Sequence, residues 1–297
     1  MSPSRPWHGV LVATALPFTE ALDVDLDRYA AHVAWLAENG CDGVTPNGSL
    51  GEYQTLTPAE RTAVVRTAVE AAPAGFTVMP GIAAYGSRES AQWATFAAEA
   101  GCPAVMLLPP NAFRADDDAV VAHYRAVAEV GVPIVAYNNP LDTKVDLTPE
   151  LLGRLYGDGL IVAVKEFSGD VRRIYRINEI APELDVLVGA DDVTLELALA
   201  GAPGWVSGYP NAFPQACVAL FAAARAGDLE VALPLYRALH PLLRWDSRTE
   251  FVQAIKLSMD VVGRFGGTCR PPRGPLSDEQ AQTVREATEK ALAAGYR

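Results

Sequence analysis

The sequence is short of the side chains that usually hold metals, disulfides or nucleic acid. Four cysteines occur in 297 residues, Cys41, Cys102, Cys217 and Cys269, and no two stand close enough for a zinc pair or a redox motif. Isolated cysteines of this kind read as small core residues in a reducing compartment. The four histidines, His8, His32, His123 and His240, include no pair one helical turn apart, so no metal site is expected. Positive charge is also scarce. Lys and Arg total 24 against 36 Asp and Glu, a formal net charge of −12, which excludes a binder of phosphate backbones. No run of 18 apolar residues occurs, and the first six residues lack the basic and apolar regions of a signal peptide. The expectation is a cytoplasmic protein with neither a membrane nor a nucleic acid as partner. The five tryptophans are scattered and read as packing residues.

What is present is ample apolar material, half of the residues, in a repeating order. Short apolar runs at 10–18, 43–47, 76–82, 104–109, 133–138, 161–167, 185–189 and 204–207 alternate with longer amphipathic stretches, among them 26–38, 58–71, 87–100, 116–130 and 148–156. Eight such runs are the number that closes a parallel barrel. Thr57 before Pro58 and Glu60, and Thr148 before Pro149 and Glu150, combine an N-cap residue, proline in the first turn and early acidic charge. A doubly wound open sheet is the competing fold, but it needs a glycine-rich turn after its first strand, and 13–18 has none. After the eighth run the pattern turns wholly helical, at 214–226, 229–243, 249–262 and 277–294. The reading is an α/β fold, a (β/α)₈ TIM barrel over 1–212, with a C-terminal helical extension over 213–297 packed on it.

Catalytic groups of such a barrel stand at the C-terminal ends of its strands, which directs the search to polar residues that end apolar runs. In Ile161-Val162-Ala163-Val164-Lys165-Glu166-Phe167 a lysine interrupts the sixth run. Burial there would lower its pKa toward the neutral amine that attacks a carbonyl. Pairing with Glu166 or another carboxylate is the structural alternative. Tyr137 ends the fifth run, next to the lysine strand, and its hydroxyl is placed to move protons, although packing is the commoner task of such a tyrosine. After the second run, Gly48-Ser49-Leu50-Gly51-Glu52 offers backbone N–H groups and a hydroxyl to a carboxylate. Arg172, Arg173 and Arg176 read as a solvated helix face.

Taken together, Gly48 to Glu52, Tyr137-Asn138-Asn139-Pro140 and Val164-Lys165-Glu166-Phe167-Ser168-Gly169-Asp170 resemble the dihydrodipicolinate synthase and N-acetylneuraminate lyase superfamily of Schiff-base aldolases, over nearly the whole chain. The resemblance implies that Lys165 forms the imine with a 2-oxo acid, Tyr137 acts as acid and base, and Ser49 supports proton transfer. It further implies that Gly48, Ser49 and Leu50 with the Val206 carbonyl bind substrate. It implies no cofactor and no metal, and a homo-oligomer built as a dimer of dimers, a homotetramer.

Three departures bear on the substrate. Dihydrodipicolinate synthase proper carries paired tyrosines after its fourth strand, where this chain reads Leu107-Leu108-Pro109-Pro110-Asn111-Ala112-Phe113. The arginine that follows the Tyr-Asn-x-Pro motif in that enzyme is matched by Asp142, leaving Lys144 as the nearest cation in sequence. Leu50 replaces a second hydroxyl residue in the glycine turn. Gly204-Trp205-Val206-Ser207-Gly208-Tyr209-Pro210-Asn211 and Arg270-Pro271-Pro272-Arg273 instead resemble the branch of pyrroline-4-hydroxy-2-carboxylate deaminase. The expected function is a Schiff-base lyase that removes water or ammonia from a small 2-oxo acid or cyclic imino acid. A pyruvate-dependent aldolase or synthase is the alternative, and a silent barrel that binds a 2-oxo acid without turning it over is the second.

Overall fold

In the computed structural model, which describes residues 5–297, the apolar runs become eight parallel strands: β1 Gly9–Ala13, β2 Gly43–Thr45, β3 Thr77–Val78, β4 Val105–Leu107, β5 Ile134–Asn138, β6 Ala163–Glu166, β7 Asp185–Val188 and β8 Gly204–Ser207. Their order is β3-β2-β1-β8-β7-β6-β5-β4. A parallel bridge between Gly81 and Met106 brings the two outer strands together, with the Met106 N–H donating to the Pro80 carbonyl at 2.9 Å, so the fold is a (β/α)₈ barrel. The strands are apolar almost throughout because a parallel sheet wrapped by helices is buried on both faces. β3 ends sooner than the apolar run predicts, since Pro80 has no N–H to give to a ladder.

Two apolar clusters result. One fills the barrel, with Leu11, Met79, Val135, Ala163, Leu187 and Val206 among its members. The larger one lies between the strands and the helices. Helices start where the sequence signals them: Thr57 and Glu60 form a reciprocal capping box ahead of Pro58–Ala71, and the Thr148 hydroxyl accepts the Leu151 N–H ahead of Pro149–Gly157. Three further helices, Pro140–Thr143, Arg173–Ile180 and Thr194–Leu199, are too short to show a clear helical period. Among the described residues no helix is long and apolar enough to cross a membrane.

Beyond β8 the chain forms Pro214–Arg225, Leu229–Leu243, Phe251–Val261 and Asp278–Ala293. The first of these leans on β1 and on Leu229–Leu243, and so joins the barrel to the last helices. A buried ion pair fastens the same region to the barrel mouth. Lys256, on Phe251–Val261, places its Nζ 2.7 Å from Glu52 Oε1, with both side chains shielded from solvent. The second Glu52 oxygen accepts the Arg270 N–H at 2.9 Å, and Lys256 also donates to the Thr268 carbonyl. The pair is therefore fully hydrogen-bonded, the condition under which buried charges are tolerated. Removing one partner should be far costlier than removing both. Lys256→Ala is expected to lose about 3–5 kcal/mol in urea denaturation, and the double variant Glu52→Gln/Lys256→Met to recover much of that loss.

Candidate active site

β5 and β6 run side by side with Tyr137 opposite Lys165 and Asn138 opposite Glu166. Side chains alternate along a strand, so this register sends the first pair to one face and the second to the other. Tyr137 and Lys165 enter the barrel mouth and line a cavity of about 760 Å³. Asn138 and Glu166 face the helices, where Asn138 Nδ2 donates to Glu166 Oε2 at 3.1 Å and Arg173 Nε donates to the same oxygen at 3.1 Å. The lysine is thus not the partner of Glu166. Arg173 is, and with a side chain only 13 % exposed it departs from the solvated face read for it in the sequence. Its Nη1 also donates to Asp146 at 3.0 Å.

Lys165 is 5 % exposed and forms no ion pair within 4 Å among the described residues. Its Nζ stands 4.4 Å from the centre of the Tyr137 ring and 5.5 Å from that of Phe167, two rings that meet edge to face. Burial drives the lysine pKa below its ordinary value, and the Asp246 and Asp191 charges oppose that shift without cancelling it. Gly189 lets the neighbouring strand end come this close. A Cβ at Gly189 would lie 2.5 Å from the Glu166 carbonyl oxygen and 3.0 Å from Lys165 Cγ. Burial raises the Tyr137 phenol pKa, with Asp246 adding to the rise, and its one side-chain hydrogen bond comes from Asn139 Nδ2 at 3.4 Å.

The turn after β2 supplies the facing wall, with Gly48, Ser49 and Leu50 all lining the cavity. Asn47 and Glu52 bracket it in left-handed backbone conformations, at φ 55° and 52°. Such geometry persists in non-glycine residues only where surroundings impose it. Here Asn47 donates to the Arg61 carbonyl at 3.0 Å, and Glu52 is held by Lys256. Of the candidate residues, Val206 is the one not brought to the cavity wall. It is wholly buried in the barrel cluster, opposite Leu11.

Asp142 does line the cavity, tied to Asn139 Nδ2 at 2.9 Å. Lys144 stands at the rim with its amine turned onto the Leu141 carbonyl. Among the cavity residues outside the sequence reading, two are both buried and charged. Arg61, on Pro58–Ala71, is buried between the rings of Trp93 and Tyr53 and has no carboxylate partner within 4 Å among the described residues. Asp246 follows Leu229–Leu243 and reaches the cavity from the C-terminal helices. It stands between the helical runs at 229–243 and 249–262, where nothing in the sequence marks it.

A buried, unpaired lysine charges the fold a cost that depends on pH. With its pKa lowered on folding, Lys165 binds fewer protons folded than unfolded, so its destabilisation fades as pH rises toward the ordinary value of 10.5. Lys165→Met is therefore expected to raise the thermal midpoint at pH 7, with a gain that shrinks as pH approaches 10.5, as differential scanning calorimetry would show.

The dihydrodipicolinate synthetase family matches residues 6–291. The chain is 32% identical over 290 residues to a 4-hydroxy-tetrahydrodipicolinate synthase of Anaeromyxobacter dehalogenans, covering 95% of this chain and 97% of the relative. It is 33% identical over 287 residues to one of Methanothrix thermoacetophila, covering 96% and 97%. Among solved structures, dihydrodipicolinate synthase from Aquifex aeolicus superposes with a TM-score of 0.91 at 27% identity, covering 96% of this chain and 98% of that one.

Proposed function

The chain belongs to the dihydrodipicolinate synthetase family of class I lysine-imine enzymes, and from that premise we propose that it is a lyase removing water or ammonia from a small 2-oxo acid or cyclic imino acid. The observation that carries this reading is the Lys165 amine, buried beside Tyr137 at the floor of an open cavity with no ionic partner among the described residues. Lys165 attacks the 2-oxo carbon as a free amine. Tyr137 gives its proton to the departing carbinolamine oxygen, water leaves, and a positively charged imine remains. The phenolate so formed takes a proton from the adjacent carbon, and the imine receives the electron pair as an enamine. A raised phenol pKa suits both halves of this exchange, since it makes the phenolate a strong base. The Gly48 to Leu50 turn receives the substrate carboxylate, with the Ser49 hydroxyl as a further donor.

Pyruvate-dependent carbon–carbon bond formation is the second reading, favoured by the names of the relatives. Against it stand Asp142, where a second substrate carboxylate would meet negative charge, and the segment 107–113, which has no tyrosine where that enzyme carries a pair. No cofactor or metal enters either scheme, because the protonated imine is itself the electron sink. We place the enzyme in the cytoplasm, in keeping with four thiols that form no disulfide, and infer a dimer of dimers, a homotetramer. Exposed Tyr85 and Leu141, which line the cavity, are surfaces a second subunit would cover. Light scattering should give the mass of four chains.

Intact mass after borohydride reduction with pyruvate, other 2-oxo acids or 4-hydroxypyrroline-2-carboxylate tests the reading directly. A covalent adduct is expected in the wild type and none in Lys165→Ala. Tyr137→Phe should lower turnover by about 10²- to 10⁴-fold. A folded wild-type enzyme that traps no member of the panel would overturn the Schiff-base function in favour of a silent binding barrel.

A further inference from the structure

Asp246 is the one buried acid among those that line the cavity, and the scheme above gives it no task. It is 8 % exposed and lines the same cavity as Lys165 and Tyr137. Gly208 leaves it room, since a Cβ there would lie 3.0 Å from Asp246 Oδ1. Its neighbour Asp191, after β7, is fully buried and receives four hydrogen bonds. Trp205 Nε1 and Ser207 Oγ donate at 2.9 Å, and the Gly208 and Tyr209 N–H groups donate at 3.2 Å. Among the described residues no side chain donates to Asp246, and the Asp191 backbone N–H is the donor that faces its carboxyl.

The charged and titratable groups facing Asp246 are Lys165 from β6, Tyr137 from β5, Asp191 and Asp192 beyond β7, and Tyr209 beyond β8. Burial pushes the Asp191 carboxyl up only to about 6, because its donors favour the anion. The Asp246 carboxyl rises well above its ordinary range, through burial and the Asp191 charge. Two carboxyls in unlike settings divide into an anion and a neutral acid. Position separates Asp246 from Tyr137 as well. In the order β5-β6-β7-β8, Tyr137 approaches Lys165 from the β5 side, and Asp246 does so beside Gly208, at the β8 side.

We propose that Asp246 is the acid that protonates the leaving group at carbon 4 of an imine-bound 2-oxo acid. The proposal rests on the lyase function and adds to it the position of the bond that breaks. After Tyr137 removes the carbon 3 proton, the enamine pair moves to make a double bond between carbons 3 and 4, and the nitrogen pair restores the imine double bond. The bond from carbon 4 to its hydroxyl oxygen breaks with its electron pair, Asp246 gives that oxygen its proton, and water departs. The imine nitrogen is again positive. Hydrolysis of the imine releases the product, frees the Lys165 amine and returns a proton to Asp246. The substrate class is thus a 3-deoxy-2-oxo acid with a hydroxyl on carbon 4, or the cyclic imine of its amine counterpart.

The test compares wild type with Asp246→Asn, which keeps the side-chain size. Pyruvate with borohydride reports the imine, and water loss is followed with a 3-deoxy-2-oxopentonate and with 4-hydroxypyrroline-2-carboxylate. The expected result is a variant that still traps pyruvate on Lys165 while water loss falls by at least about 100-fold. Because Asp246 acts as the protonated acid, wild-type kcat should decline as pH rises through its titration, and the variant should lack that limb. Water loss within threefold of wild type with the limb retained would overturn the proposal. So would loss of pyruvate trapping in the variant, which would make Asp246 a support of Lys165. A wild type that traps pyruvate but splits the bond between carbons 3 and 4 removes the proposal and leaves the imine mechanism standing. A wild type that traps nothing removes both.

Discussion

A primary amine held in an apolar barrel without a countercharge in contact is the constraint on which the rest of this structure depends. Water would solvate the amine as an ammonium ion, and a carboxylate in contact would hold the proton on it. The fold restricts the first to the cavity side and denies it the second among the described residues. The alternation of β6 sends Glu166 to the outer face, where Arg173 and Asn138 take it up, and sends Lys165 inward among Tyr137, Phe167 and the apolar barrel filling. The outer carboxylate is as elaborately paired as the inner amine is bare, and a one-residue slip of the strand would exchange their environments.

The second wall of the cavity comes from a turn that would not hold its shape alone. Left-handed backbone at Asn47 and Glu52 is imposed from both sides, by the Arg61 carbonyl and by the ion pair with Lys256. The helices beyond β8 therefore do more than cover the barrel. Through Lys256 they fix the turn that carries Ser49, and through the segment after Leu229–Leu243 they bring Asp246 into the cavity. Whether that region is reckoned a separate extension over 213–297 or the end of the barrel unit, the cavity is incomplete without it.

This division explains what the sequence made legible. Eight apolar runs with helices between them require few long-range facts, because each strand is apolar on both faces and each helix start carries its own cap. Lys165 and Tyr137 were visible for the same reason: a polar residue ending an apolar run is a local signal, and the register that pairs them follows from the order of adjacent strands. Arg173 was misread because its helix is short and its partner lies on the preceding strand, so nothing local separates it from the exposed Arg172 and Arg176. Asp246, Arg61 and the Glu52–Lys256 pair were hidden because each meets the cavity or its partner across distant stretches of chain. Val206 was placed by resemblance alone, and its side chain belongs to the barrel filling.

The charge inventory of the cavity links this packing to the chemistry. An imine formed at neutral pH is positive whatever the lysine was before, so the site must accept a cation during turnover that it excludes at rest. In the proposed mechanism that need would fall to Asp191, whose carboxylate four donors hold in place and favour as the anion. A carboxylate preorganised in this way stabilises the charged imine more than the neutral amine, which is the differential binding that lowers a barrier. The same donors, by keeping the proton off Asp191, concentrate it on the Asp246 carboxyl, which only a backbone N–H faces. The acidity of one residue is thereby set by the hydrogen bonds of its neighbour, and the residues that supply those bonds lie on β8, which pairs with β1, and on the turn just after it.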